Sequence, residues 1–158
     1  MRAITEQSGG LFFIDPPCGI DKTFLLSLIL AIIRSQNNIA LAIVSSGIAI
    51  TLLDGGRTAH SALKLPWNFQ NTEEPTCNIS KNSVMGKVLQ TCQWDDCTMS
   101  HKKALKALDR KLRDLRGNVR IFGGVLILLS GYFRQTMLVI PRSTPDDELN
   151  ACLKSSVL

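Results

Sequence analysis

Residues 11–35 read LFFIDPPCGIDKTFLLSLILAIIRS and carry three structural signals in a row. The apolar run 11–14 predicts a buried strand, a turn with proline and glycine follows, and Lys22 opens a helix that continues to about Ser35. The helix is apolar nearly all round, which predicts that it is buried. A strand, a turn and a helix in this order form the local frame in which a phosphate-binding loop occurs.

The rest of the chain continues the alternation of strands and helices. Apolar runs at 39–44 and 125–129 predict two further buried strands, and leucines at helical spacing predict an amphipathic helix over 100–116. A short helix is expected to about Leu53 and another over 83–91. Strands that alternate with helices favour an α/β fold with a central, mainly parallel sheet.

The length and composition of the chain fit one globular domain. The chain has 158 residues, of which 45% are hydrophobic and 20% charged, and its net charge is +5. This composition excludes a mainly disordered chain, and the positive charge favours a polyanionic partner. The most apolar run, 24–33, falls short of the roughly 20 residues that span a bilayer, so no membrane association is predicted. Five cysteines without a Cys-x-x-Cys pair indicate free thiols in a reducing compartment rather than a zinc site.

The loop after the first predicted strand matches half of a phosphate-binding motif. That motif reads Gly-x-x-x-x-Gly-Lys-Ser/Thr, and residues 16–23 read PPCGIDKT. Lys22 and Thr23 are in place, but Pro16 and Asp21 stand at the two glycine positions. Pro16 has no N–H to offer a phosphate, and the carboxylate of Asp21 repels a triphosphate while it suits an empty helix N-terminus. The pattern alone leaves two interpretations open, a phosphate loop and a simple strand-to-helix turn.

Short motifs spread over residues 12–158 give the chain a specific resemblance. They include, in chain order, FFID, KTFL, SSGIA, GGRTAHS, WDDCTM, ALDR, FGG, GYFRQ and VIPR. With these motifs the chain resembles the Pif-type (petite integration frequency) family of ATP-dependent DNA helicases, in its Helitron-associated branch. The resemblance implies one RecA-like P-loop NTPase domain over residues 1–158, the first half of the family's two-part motor, with the second motor domain absent.

The resemblance also implies a function and a cellular setting. Family members couple ATP hydrolysis to the unwinding of DNA, in DNA repair, recombination and telomere maintenance. For this chain it implies ATP, Mg²⁺ and single-stranded DNA as ligands, a monomeric state, and an intracellular, nuclear location.

The nucleotide site of the family carries over at the positions that match its motifs. Lys22 and Thr23 match the lysine and threonine of the phosphate loop, in which Gly19 also lies, and the threonine hydroxyl binds Mg²⁺. Asp95 and Asp96 match the Asp-Glu pair, in which the aspartate supports Mg²⁺ and the glutamate polarises the attacking water.

Two further parts of the family's machinery have matching residues here. Gln135 matches the glutamine that senses the γ-phosphate, which completes a catalytic set with the lysine and the two aspartates. The loops that touch the DNA strand in the family match six residues: Ser45, Ser46, Gly47, Thr58, His60 and Ser61.

The chain also departs from the family's motifs within the site. Asp96 stands in place of glutamate and is one methylene shorter, and a misplacement of about 1 Å can cost about 100-fold in rate. Tyr132 and Leu138 stand where the family has aspartate and proline. The segment that leads into Asp95 is polar and a few residues short, so the central strand is expected to be clipped.

These departures predict a fragment that is impaired in catalysis. Two alternatives stay open: a non-enzymatic module that binds single-stranded nucleic acid, and a non-functional transposon remnant that does not fold stably. The basic helix 100–116 is predicted to present a solvated face partly paired with Asp109 and Asp114, and phosphate binding is the alternative. His60 is expected to fix a loop by hydrogen bonding or to contact DNA, and His101 to lie on the surface.

Overall fold

The computed structural model describes residues 9–15, 22–66, 72–84, 88, 91–95, 97–133, 140 and 143–155. For residues 48, 49 and 91–95 the description is limited to the backbone. Within this part of the chain, five parallel strands form one sheet in the order β1-β5-β4-β2-β3. The strands are β1 (Gly10–Ile14), β2 (Ala40–Val44), β3 (Arg57–Thr58), β4 (Thr91–Asp95) and β5 (Leu126–Ser130).

Helices connect the strands and cover the two faces of the sheet. In the described residues the α-helices are α1 (Lys22–Ser35), α2 (Ala59–Leu63), α3 (Lys102–Arg116) and α4 (Pro145–Ala151). Short 3₁₀ segments lie at Ile48–Leu52, Cys97–Met99, Ile121–Gly124 and Leu153–Ser155. No helix of the described chain has both the length and the apolar character that crossing a bilayer requires.

The predicted α/β fold with a parallel sheet is confirmed. The predicted bounds of α1 match the structure. The strand predicted at 39–44 is β2, which begins one residue later, and the strand predicted at 125–129 is β5, which is displaced by one residue. The helix predicted over 83–91 is wrong at its end, because Thr91 begins β4. Val84 and Val88 are helical, and the residues around them lie partly outside the described chain.

The expectation of a clipped central strand is wrong. β4 has five residues, as many as β1, β2 and β5, and it lies in the middle of the sheet. Its five residues are in register with all five of β2, from Ala40 opposite Thr91 to Val44 opposite Asp95, and four of them also pair with β5. Backbone hydrogen bonds to neighbours on both sides define this strand, and they do not depend on whether its side chains are apolar.

The prediction that α1 is buried all round is also wrong. Leu26, Leu30 and Ile33 recur at helical spacing and pack against β2 in a core that includes Ala42, Val44 and Leu53. The opposite side of the helix is open, since Phe24 is 66% exposed and Leu28 is 46% exposed. An all-apolar helix is buried only where neighbours surround it, and here one face of the sheet contacts one stripe of the helix.

The larger core lies on the other face of the sheet, under α3. Leu105, Leu108 and Leu112 from this helix pack with apolar residues of the strands, among them Ile43 and Ile127. The polar side of α3 carries the predicted ion pairs: Arg113 Nε lies 2.9 Å from Asp109 Oδ2, and Lys111 Nζ lies 3.2 Å from Asp114 Oδ2. The interpretation of this basic face as partly paired is therefore confirmed.

A tight turn joins α3 to β5 and is fixed by a buried carboxylate. Phe122, Gly123 and Gly124 all have positive φ, at 52°, 60° and 75°. The backbone N–H of Phe122 donates to Asp109 Oδ1, and Asp109 is buried. Gly123 packs so closely on α3 that a Cβ would lie 2.6 Å from the carbonyl oxygen of Leu112. The turn sets where β5 begins.

Candidate functional site

The parallel sheet brings the ends of all five strands to one edge. Because every neighbouring pair is parallel, the last residues of the strands lie together at what we call the carboxyl edge. These residues are Ile14, Val44, Thr58, Asp95 and Ser130. In open α/β sheets, ligands bind in the crevice outside the carboxyl ends of the strands. All the residue positions predicted from the family motifs that the structure describes follow these ends or coincide with them.

The residues expected to hold nucleotide lie along the β1, β5 and β4 part of this edge. Lys22 and Thr23 are the first two residues of α1 and are half-buried. Asp95 ends β4, two strands away from β1, which corresponds to about 10 Å at the usual spacing between strands. Gly19, Asp96 and Gln135 lie outside the described residues, and the side chain of Asp95 is not described.

The amino end of α1 has the electrostatic character that an anion favours. The first backbone N–H groups of a helix have no partner within the helix, and the helix dipole places partial positive charge there. The first turn of α1 contains no acidic residue and begins with the cationic Lys22. Thr23 adds a hydroxyl, which is an oxygen ligand that Mg²⁺ accepts.

The residues expected to contact DNA lie along the β2 and β3 part of the same edge. Ser45 and Ser46 follow β2 and are half-buried, and Gly47 comes next and is exposed. Thr58 ends β3, while His60 and Ser61 are exposed on α2. Among the described residues, the structure therefore groups the DNA candidates on one half of the edge and Lys22, Thr23 and Asp95 on the other.

Thr58 has a structural role in addition to the DNA contact predicted for it. It is the N-cap of α2, and its Oγ1 accepts a hydrogen bond from the backbone N–H of Ser61 at 3.3 Å. An N-cap threonine typically contributes about 1 kcal/mol to helix stability. The start of α2 is thus held by two of the residues that the motif comparison singled out.

A short segment after β4 lies between the two halves of the edge. We call residues 97–101 the bridge segment; it contains the 3₁₀ turn Cys97–Met99, then Ser100, and ends at the cap of α3. Ser100 Oγ lies 3.3 Å from Ser45 Oγ in the loop after β2. On the other side, the bridge segment abuts Gly131 after β5, where an added Cβ would lie 2.6 Å from Thr98 Cγ2.

His101 is buried, so its predicted surface position is wrong. Its Nδ1 accepts a hydrogen bond from the backbone N–H of Lys103 at 3.1 Å, which makes it the N-cap of α3. Burial, together with the charges of Lys103 and Lys102, lowers the pKa of His101 from 6.5 to about 4. The imidazole is therefore neutral near pH 7, as its acceptor role requires.

The sequence interpretation did not single out Thr98, Ser100 or Gly131 as parts of the edge. One signal was available, because Thr98 and Ser100 follow within a few positions of the Asp95–Asp96 pair and so share its end of β4. The caps that usually mark a helix start are serine, threonine, aspartate and asparagine, so a histidine cap gave no such signal.

One cavity of the described chain lies away from this edge. It has a volume of about 530 Å³ and lies between residues 76–80 and the later turns of α3. Its basic side chains are engaged: Arg110 contacts Glu74 at 3.2 Å, and Lys111 pairs with Asp114. Burial raises the pKa of the lining thiol, Cys77, to about 12, against the opposing effect of Lys111, so the thiol is unreactive at neutral pH.

The described residues contain no cluster of three or more histidine, cysteine, aspartate or glutamate side chains that could hold a metal ion. A Mg²⁺ ion that is bound mainly by nucleotide phosphates needs only one or two protein ligands. Thr23 and the end of β4 both lie on the nucleotide half of the carboxyl edge.

Comparison with known proteins identifies the family. The chain matches the PIF1-like helicase family over residues 1–158. It belongs to that family. The chain is 28% identical over 132 residues to the ATP-dependent DNA helicase Pif1 of Psychrobacter sp., a match of 82% of this chain and 20% of that protein. It is 28% identical over 155 residues to the ATP-dependent DNA helicase PIF4 of Trypanosoma brucei brucei, or 92% of this chain and 19% of that protein.

Solved PIF1-like helicase structures have the same fold. The Bacteroides Pif1 helicase in complex with ADP-AlF3 and single-stranded DNA superposes with a TM-score of 0.78 at 21% identity, covering 99% of this chain and 37% of that one. The Candida albicans Pif1 helicase gives a TM-score of 0.68 at 22% identity, covering 88% and 32%. The expected match to the RecA-like domain of Pif1 helicases is therefore confirmed. The chain spans about one fifth of the length of the curated relatives that it matches.

Proposed function

We propose that residues 1–158 form the first motor domain of a PIF1-like helicase, which binds ATP with Mg²⁺ and single-stranded DNA at the carboxyl edge. One observation carries the proposal: the described motif positions lie at that edge of the parallel sheet, in two separate halves. The Bacteroides relative was solved with ADP-AlF3 and single-stranded DNA, and the chain matches it over 99% of its length.

On the nucleotide half we assign roles by family motif. Lys22, with Gly19 in the loop before it, binds the phosphates, and Thr23 and Asp95 hold Mg²⁺. The ion neutralises phosphate charge when it is bound. We further assign Asp96 to the attacking water and Gln135 to the γ-phosphate.

On the DNA half we assign contacts to the loop after β2, the end of β3 and the start of α2. Their members are Ser45, Ser46, Gly47, Thr58, His60 and Ser61. Hydroxyl groups and backbone N–H groups in loops are suited to phosphate and sugar contacts, which position a strand without reading its sequence.

We propose that hydrolysis by this chain is impaired. Asp96 is one methylene shorter than the family's glutamate, and Pro16 and Asp21 replace the glycines of the phosphate loop. These changes affect the water side and the phosphate side of the same reaction. We accordingly propose a degenerate copy of the Helitron-associated branch. The repair, recombination and telomere roles of the family, its nuclear location and a monomeric state belong to the same proposal.

Restoring the glutamate tests the impairment. We expect Asp96→Glu to raise DNA-stimulated ATP turnover by at least about tenfold, because the carboxylate regains a reach of about 1 Å. Lys22→Ala combined with Asp96→Glu is the control and should return turnover to background. Turnover in the unaltered chain that equals that of a full-length relative contradicts the impairment. Turnover that does not change with Asp96→Glu contradicts the role assigned to Asp96.

The second candidate is a non-enzymatic module that binds single-stranded nucleic acid. The observations that favour it are the serine hydroxyls of the loop after β2 and of α2 on the DNA half, together with the net charge of +5. Titration with a labelled oligothymidine at several salt concentrations tests it. We expect log Kd to rise linearly with log salt concentration, by about 0.7 per phosphate contacted. Salt-dependent DNA binding without binding of a fluorescent ATP analogue supports this candidate.

The remaining alternative is a remnant that does not fold stably. The central position of β4, paired on both sides, argues against it.

A further inference from the structure

The bridge segment, residues 97–101, contacts both halves of the carboxyl edge. We propose that it couples nucleotide binding to DNA binding, and that Ser100 is the positioning residue that transmits the change to the loop after β2. The inference rests on the proposed function, since it concerns the same two ligands. It goes beyond that function because it names a physical link between them.

The first contact joins the bridge segment to the DNA half. Ser100 Oγ and Ser45 Oγ lie 3.3 Å apart and are partly buried, although the two residues are 55 positions apart in the chain. Ser45 immediately follows β2, in the loop assigned to DNA. A shift of Ser100 therefore changes the hydrogen bonding of the first residue of that loop.

The second contact joins the bridge segment to the nucleotide half. Thr98 is 1% exposed, and its Cγ2 and Oγ1 occupy the space where a Cβ on Gly131 would stand, at 2.6 and 3.0 Å. Gly131 follows β5, four positions before Gln135. Because the two residues are closely packed, a displacement of Gly131 toward Thr98 requires Thr98 to move as well.

A hydrogen bond, burial and a helix cap make the bridge segment a compact element. The backbone N–H of Ser100 donates to the carbonyl of Cys97 at 2.9 Å, and Cys97 is fully buried. At its other end His101 caps α3, which anchors the segment to a helix of 15 residues. A short rigid element that touches two binding loops is the kind of part whose position both ligands can bias.

Coupling of this kind is measured as a ratio of affinities. The Kd of a labelled oligothymidine is measured with and without a non-hydrolysable ATP analogue and Mg²⁺, and by thermodynamic linkage the reverse experiment must give the same ratio. We expect a ratio of roughly 5 to 150 for the unaltered chain. Ser100→Ala should reduce the ratio by about three- to tenfold, which corresponds to the loss of one ordinary hydrogen bond.

Matched variants separate positioning from stability. Ser100→Thr keeps a hydroxyl and should retain the ratio. Ser35→Ala removes another hydrogen-bonded serine hydroxyl, which donates to the Ile32 carbonyl at the far end of α1, and should also retain it. In a double-mutant cycle, Ser45→Ala and Ser100→Ala together should lower the ratio no further than either change alone. Melting temperatures within about 2 °C of the parent establish that each variant is folded.

The outcomes distinguish this inference from the function on which it rests. If the unaltered chain binds DNA and the ATP analogue, and Ser100→Ala keeps the parent ratio, the coupling role is overturned while the proposed function stands. If Ser100→Ala alters the ratio but Ser100→Thr does not restore it, the hydroxyl contact is overturned as the link. If the unaltered chain binds neither ligand, the proposed function fails, and the coupling fails with it.

Discussion

Leu28 and Leu30 lie two positions apart on α1 and have opposite surroundings. Leu30 is 2% exposed in the core between α1 and β2, whereas Leu28 faces outward. We expect Leu30→Ala to lower the free energy of unfolding by about 2–5 kcal/mol, because it leaves a cavity. Leu28→Ala is the matched control and should change it by less than about 0.5 kcal/mol. Urea unfolding monitored by circular dichroism measures both, and equal losses would contradict the one-sided burial of α1.

His101 makes the stability of the fold depend on pH. Its pKa is lowered to about 4 in the folded chain against about 6.5 when unfolded, so the unfolded state binds more protons between these values. The contribution of the neutral imidazole is therefore complete above about pH 6.5 and is lost as the pH falls toward 4. Protonation of Nδ1 also removes the acceptor that caps α3 at Lys103.

An asparagine at this position gives the comparison that isolates the effect. Asparagine caps helices well and does not titrate. The His101→Asn variant should therefore lose less stability than the parent protein as the pH falls from about 6.5 to 4. Melting temperatures across this range measure the difference. Parallel curves for the two proteins would show that His101 does not titrate as its burial requires.

At the scale of the element, α3 holds the turn before β5 through one carboxylate. Asp109 accepts the backbone N–H of Phe122 and pairs with Arg113, whereas Asp114 pairs with Lys111 on the exposed side of the same helix. Asp109→Ala leaves a buried N–H without its acceptor and should cost about 2–4 kcal/mol. Asp114→Ala removes an exposed ion pair and should cost less than about 1 kcal/mol. Chemical denaturation compares the two, and similar losses would refute the anchoring role of Asp109.

The elements also show what the sequence could and could not predict. The bounds of α1 were predictable, because a turn precedes Lys22 and Asn37 and Asn38 follow the apolar run. The polar character of Gln93 and its neighbours predicts a shortened β4. The strand has its full length because backbone pairing defines it, and hydropathy does not report backbone pairing. The N-cap role of His101 could not be predicted, because histidine is not a usual N-cap residue.

At the scale of the whole molecule, the strand order determines how the candidate site is arranged. The motifs predicted the residues of a candidate site, and the parallel sheet brings those that the structure describes to one edge. Their division into a nucleotide half and a DNA half follows from the order β1-β5-β4-β2-β3, which depends on contacts between distant parts of the chain. For the same reason the contact between Ser45 and Ser100 could not be predicted from either local sequence.

The position of β1 has a consequence for the synthesis of the protein. In the described chain, β1 pairs with β5 alone, and its first pair joins Gly10 to Leu126, which lies 116 residues later. Ribosomes add about 5–20 residues per second, so roughly 6–23 s pass between the synthesis of β1, with its two phenylalanines, and the synthesis of its partner strand. A nascent apolar strand with unpaired backbone groups is prone to aggregation, which makes this interval the one in which a chaperone would protect the chain.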